Sequence, residues 1–241
     1  MKRLFTLAVF AFLTLNGYAQ KGFTIGANVM PLNTNIINQN TWGNGREYDY
    51  KPTYNFSFGL DVGYNITDHM GVSSGYWFTN LGQQYLDSYD GSDWERTLTL
   101  KYNMIPLMVR FNGTESKINL LGGAGIVLAN LQEAEQEWLR DGQQYSEMFW
   151  NPIKEEFFDM GATDVTERFN DSDIFVAAEL GARFLFGEKI YLDATLEFGY
   201  GLTDINHEDW QIPNGSGVYD PSHNAYAGIK VSLVYVLFGG E

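Results

Sequence analysis

Eight charged side chains of this 241-residue chain fall on positions that a two-residue repeat would gather into one enclosed space. They are Asp61, Glu179, Asp193 and Glu197 with Lys101, Arg110, Arg183 and Lys230. Buried charges persist only when paired, so such a set predicts a salt-bridged, hydrated interior. Other groups could do different chemistry. His207, Asp209, Ser222 and His223 share one polar segment, and with a nucleophile motif they would suit a hydrolase or acyltransferase; the chain has no such motif. Asp87, Asp90 and Asp93 are oxygen ligands of the type calcium takes, but their spacing is not that of an EF-hand loop. The histidines His69, His207 and His223 lack metal-ligand spacing, and there is no cysteine for thiolate chemistry or disulfides. No catalytic residue, metal or cofactor is therefore expected.

The repeat that would position the charges is plainest from Tyr54 to Asn65, where even positions are large and apolar and odd positions small or polar. That is a β-strand with one oily and one wet face. Eight such segments follow one another: Gly22–Leu32, Tyr54–Asn65, Met70–Asn80, Thr97–Phe111, Lys117–Leu131, Ile174–Phe186, Ile190–Thr203 and Ala225–Phe238. Short turns follow the second, fourth and sixth, and long polar stretches follow the first, third, fifth and seventh. The expected fold is all-β: an eight-stranded antiparallel up-and-down transmembrane β-barrel with short periplasmic turns and long extracellular loops. A soluble sandwich also alternates, but its strands run to about 5–6 residues, whereas a transmembrane strand needs about 9–11. The faces Ile174–Phe186 and Ile190–Leu202 carry no charge over that length. Slipping a strand by one residue would turn the interior charges to lipid, where a midplane Lys or Arg costs about 2–4 kcal/mol, so the register is determined.

Lys2 and Arg3, the apolar run Leu4–Leu15 and the small residues Gly17 and Ala19 predict a signal peptide over residues 1–19, cleaved after Ala19. The barrel domain then covers residues 20–241 and is exported to the outer membrane. Partners expected from this placement are outer-membrane lipid and lipopolysaccharide, and the barrel assembly machinery during insertion. Deleting Tyr235–Phe238 should abolish assembly. Phe238 shares parity with Lys230 and Ser232 rather than with Leu233, Tyr235 and Leu237, so either the last strand slips or Phe238 is not the recognition residue.

A net charge of −15 makes nucleic-acid binding implausible. The largest loop, about residues 132–171, is acidic yet carries Trp138, Phe149, Trp150, Phe157 and Phe158. A loop with that many aromatic residues is expected to fold or dock, and to recognise a protein, a glycan or lipopolysaccharide through a bridging divalent ion. Its deletion should leave the barrel folded. The leading expectation is a non-enzymatic barrel with a structural or loop-mediated recognition role; the alternative is a small conductive or transport barrel.

In the fourth segment Leu98, Leu100 and Tyr102 share one parity and Ile105, Leu107, Val109 and Phe111 the other. A β-bulge near Asn103–Pro106 would account for the change, and Pro106 cannot donate a ladder hydrogen bond. Tyr102–Phe111 resembles the Tyr-Leu-x-Ile-Pro-Leu-Leu-x-Lys pattern of PorT-like outer-membrane β-barrel proteins of Bacteroidetes-type bacteria. Gly122–Gly125, Glu179–Ala182 and Tyr200–Ile205 are similar to further family segments, with Asp204 where the family usually has Asn. The resemblance implies an eight-stranded outer-membrane barrel and carries no activity with it.

Overall fold

Extended backbone leaves each strand with unpaired N–H and C=O groups on both edges, and a sheet that must face lipid satisfies all of them only by closing on itself. The computed structural model, which describes residues 22–38, 49–89, 91–113, 116–187, 189–213 and 217–238, has that closure. In chain order the strands are β1 (Gly22–Asn38), β2 (Asp49–Lys51), β3 (Thr53–Asn65), β4 (Met70–Tyr89), β5 (Ser92–Asn112), β6 (Ile118–Arg140), β7 (Gln143–Gln144), β8 (Met148–Asn151), β9 (Glu156–Asp159), β10 (Ser172–Leu185), β11 (Ile190–Gly201) and β12 (Ser222–Phe238). Eight of them form the ring β1-β3-β4-β5-β6-β10-β11-β12, every neighbour antiparallel, closed by β12 on β1. The short strands β2 and β7 extend the ring at β4 and β6, and β8–β9 is a separate hairpin. The predicted signal peptide lies outside the described residues.

Outward positions make a continuous apolar belt, including Phe23, Phe58, Leu60, Leu120, Leu180, Phe198 and Ile229, each about half exposed or more. In water a belt of that extent would aggregate; against acyl chains it is matched. Asn33, Asn80, Asn103 and Asn130 stand on outward positions of β1, β4, β5 and β6 and mark its upper limit.

Three strands continue well past that limit: β4, β5 and β6 have 20, 21 and 23 residues. At about 3.3 Å per residue they are on the order of 70 Å long, more than twice a hydrocarbon core of about 30 Å. The polar segment Gln83–Glu95, expected as a long loop, is therefore a hairpin in which Tyr89 pairs with Ser92 across two residues. Likewise β6 continues through Gln132 to Arg140, so the large loop begins at Asp141 rather than at Gln132. Polar residues alternate along these extensions because their outer face meets water, which removes the oily-out signal that marks a membrane strand.

The parity change in β5 also has a different origin from the expected bulge. The strand runs without interruption, with Leu98, Leu100, Tyr102, Met104, Met108 and Arg110 all inward and Ile105, Leu107, Val109 and Phe111 all outward. What changes at Asn103–Pro106 is the dry side of the wall: lipid below, an apolar interior above. The irregularity sits in the partner strand, where Lys101 pairs with Glu133 and Tyr102 with Leu131, leaving Gln132 as the extra residue of a bulge. The slip considered for the last strand is present too, since Thr24 pairs with Val236 but Phe23 with Phe238, which leaves Leu237 over.

Candidate functional site

Seven of the eight predicted charges meet inside the barrel, each no more than 9% exposed. The register brings them together. Arg183 lies opposite Asp193, and Glu179 lies opposite Glu197. Two carboxylates facing each other across a ladder repel, and Lys230 resolves this by bonding both, at 2.9 Å from Glu179 and in direct contact with Glu197. Arg110 closes the other side of Glu179 with a second hydrogen bond of 3.2 Å. Gly123 lies between Arg110 and Glu179 in register, and a Cβ there would stand 2.9 Å from the Glu179 carboxylate, which would have to shift to admit it. Arg183 holds Asp193 through two bonds of 2.8 and 3.0 Å and lies 3.9 Å over the Tyr191 ring.

The eighth charge, Lys101, is not in the interior. Because β5 does not slip, its odd positions point outward, and Lys101 pairs with Glu133 and Glu135 on the outer surface above the apolar belt, at 2.9 and 2.8 Å. Sequence reasoning also missed neutral members of the network. Asp61 is held by Asn28 Nδ2 at 2.8 Å and by Trp77 Nε1 at 2.7 Å, and Tyr226 donates to Glu197 at 3.1 Å. Lys230 lies 4.8 Å from the Trp77 ring centroid. The signal that could have found them is their inward parity, which Asn28, Trp77 and Tyr226 share with the charges.

The interior is layered rather than hydrated from end to end. Tyr191, Val234 and Val236 fill the turn end. The charges come next. Above them an apolar core of Trp77, Leu81, Leu98, Leu100, Met104, Val127, Ala134 and Phe175 fills the loop end, and Val165, Phe169 and Ile205 enter it from the connecting segments. Trp77, Tyr102 and Phe175 are buried to within 2%.

Those segments form a cap. After a turn at Asp141-Gly142, β8 pairs Phe149 with Phe158 and Trp150 with Phe157 of β9. Phe158 packs edge-on against Trp210 at 4.9 Å, and the Arg168 guanidinium lies 5.0 Å from the Phe158 ring and 4.8 Å from Trp210. Asn151, fully buried, donates to the Asp209 carbonyl at 2.9 Å. Four of the five candidate loop aromatics are thus in the hairpin. Trp138 is not: it belongs to the β6 wall, is 6% exposed and is covered by the Arg96 guanidinium at 5.1 Å. Removing residues 132–171 would cut away wall and core, so only the segment after Arg140 that lies outside the core can be deleted without opening the barrel.

Asp204 organises the second half of the cap. Its carboxylate accepts from the backbone N–H of Asn206 and of Ser222 at 3.1 and 3.0 Å, from Gln211 Nε2 at 3.1 Å and from the Tyr219 hydroxyl at 2.5 Å. Burial, and then the carboxylate beside it, push the Tyr219 phenol above its ordinary value of 10.0, keeping it a donor. A raised pKa in the folded state contributes stability below the unfolded value that is lost as pH rises further. Cleavage of residues 204–221 by an alkaline-active protease should accordingly increase above about pH 10. Tyr219→Phe should produce the same loosening at neutral pH, by about 0.5–1.5 kcal/mol.

The other candidate groups are dispersed. Ser222 is inward and accepts from Asn38 and Asn206, whereas His223 is on the opposite face of β12 and stacks on Tyr200 at 5.6 Å. His207 Nδ1 caps its own turn by accepting from Asp209 N at 3.3 Å. No serine–histidine pair forms from these four. Asp87 and Asp93 line a cleft of about 540 Å³ at the tip of the β4–β5 hairpin, with Ser88 donating to Asp93 at 2.8 Å; Asp90 lies outside the described residues.

A closed eight-strand up-and-down ring with an apolar outside, a salt-bridged inside and a folded cap at one end is an integral outer-membrane β-barrel. The model of the outer membrane protein β-barrel domain matches residues 4–233, and the chain belongs to that family. The turn end is therefore periplasmic and the cap extracellular. Among solved structures the chain is similar to Neisserial surface protein A, with 13% identity over 88% of this chain and 96% of that one and a TM-score of 0.45. It is similar to the outer membrane protein OprG of Pseudomonas aeruginosa, with 13% identity, coverage of 92% and 99% and a TM-score of 0.44. It is also similar to the outer membrane protease OmpT of Escherichia coli, with 9% identity, coverage of 93% and 99% and a TM-score of 0.41. No curated protein sequence matches the chain.

Proposed function

We propose that this barrel is a non-enzymatic, non-conducting platform that holds a recognition surface, the β8–β9 hairpin, at the extracellular face. The observation that carries this reading is the interior: large side chains fill it from Tyr191 at one end to Leu100 at the other, and Val165 and Phe169 of the cap are part of the packing. Eight strands enclose little more than their own side chains, which favours a support over a conduit. The dispersal of Ser222, His223 and His207 supports a role without catalysis. Outer-membrane lipid and lipopolysaccharide surround the wall on this reading, and the barrel assembly machinery inserts it. The finer PorT-like, Bacteroidetes-type assignment rests on Tyr102–Phe111, a stretch that joins the apolar layer at Tyr102 to the charged layer at Arg110.

Planar-bilayer recording of the purified protein tests the platform reading. The expected result is a flat baseline at moderate voltage, before and after deletion of residues 146–160. Steady conductance of the intact protein would overturn it and establish a transport barrel in its place.

A further inference from the structure

Resting on the recognition role proposed for the hairpin, we propose that its exposed face docks a basic segment of another protein, one that carries an apolar anchor between cationic side chains. Met148, Trp150 and Phe157 share that face and are 58%, 50% and 65% exposed, with the two rings edge to face at 5.1 Å. The opposite face is fixed by Phe158 on Trp210 and by Asn151 on the Asp209 carbonyl, so the exposed rings are held before any partner arrives. Pre-positioned aromatic side chains lose little conformational entropy on binding and are the usual anchors of an interface.

Charge selects the partner. Residues 141–171 hold eight acidic and two basic side chains, and residues 204–223 hold four acidic and no Lys or Arg. Both cations are engaged: Lys154 pairs with Glu156 at 2.6 Å, and Arg168 lies between Phe158 and Trp210. Glu147, Glu155, Glu156 and Glu167 are exposed around the hairpin. An anionic ligand would meet this field as repulsion. A neutral glycan could stack on the rings but would be indifferent to the field, whereas a basic segment uses both features.

The test uses the full-length protein in zwitterionic nanodiscs and a short soluble peptide with a Leu-Leu anchor flanked by arginines, followed by fluorescence anisotropy. Saturable binding is expected. It should weaken at least about tenfold in Trp150→Ser/Phe157→Ser, and severalfold both in Glu147→Lys/Glu155→Lys and on raising the salt. An unchanged urea midpoint shows that these exposed substitutions leave the barrel folded. Equal binding of a matched peptide with glutamates for arginines, or unchanged binding by the ring variant, overturns the proposal. Binding of neutral dextran or lipopolysaccharide that requires the rings, without peptide binding, overturns the basic-segment assignment and leaves hairpin recognition standing. Absence of ring-dependent binding by all three probes overturns both.

Discussion

Lys230→Met is expected to destabilise the barrel by about 3–5 kcal/mol, the usual result of removing one partner from a buried charge cluster. Lys230 bonds Glu179 and Glu197 at once, and all three side chains are no more than 1% exposed. Without the ammonium, two carboxylates face each other across the β10–β11 ladder at Glu179↔Glu197, in an environment that screens them poorly. Arg110 still neutralises Glu179, so the orphaned charge is that of Glu197, left with only the Tyr226 hydroxyl. The double variant Lys230→Met/Glu197→Gln should therefore recover much of the loss, because the two sites are coupled. Urea midpoints of the three proteins refolded into bilayers read the effect. A single variant as stable as the double would show that Glu197 needs no counter-ion.

Deleting Glu135 should be as damaging, although its side chain lies on the outer surface against Lys101. The β6 bulge puts Gln132 and Glu133 side by side on the outer face and so sets which face of Glu133–Arg140 is interior. Without Glu135, either Gln136 and Trp138 turn outward and Glu137 turns inward, or the bulge straightens and Glu133 turns inward in place of Ala134. An unpaired buried carboxylate costs several kcal/mol, so the upper wall will separate from β5 rather than accept one. The expected phenotype is a protein whose β5–β6 extension and cap are open to protease at neutral pH. Gln132 serves as the deletion control: without it Leu131 stays inward, Glu133 outward and Ala134, Gln136 and Trp138 inward along an unbroken strand, so its loss should be tolerated. Wild-type protease resistance of the Glu135 deletion would mean that the register adjusts elsewhere.

These two residues also show what the sequence could reveal. The lower half of the barrel was legible because one environment, lipid outside and polar groups inside, holds along every strand there. A strict period of two then assigns Asp61, Arg110, Glu179, Arg183, Asp193, Glu197 and Lys230 to one space. The upper half was not, because above the asparagine level water replaces lipid and the interior becomes the dry side. The alternation then inverts while the strand runs on. Leu98 and Leu100 thus imitated a backbone slip, Lys101 was assigned to the wrong face, and the ends of β4, β5 and β6 read as loops. The bulge that does exist, at Gln132, falls among Asn130, Gln132 and Glu133, where polar residues on both faces hide any break in pattern. In the cap, aromatic content signalled folding, but the pairing of Phe158 with Trp210 joins residues 52 apart, and no local pattern reports such a contact.

The apolar core beneath the cap has a thermodynamic consequence. The lower wall exchanges lipid contacts for other lipid contacts when it leaves the barrel within a bilayer, whereas the cluster around Trp77, Leu100 and Phe175 passes into water as a soluble domain's would. The extracellular half should therefore unfold with a large positive heat-capacity change and a curved stability profile of its own. Calorimetry should then resolve two transitions, a cap-side one that shifts with the salting-out strength of the buffer and a wall-side one that follows the lipid.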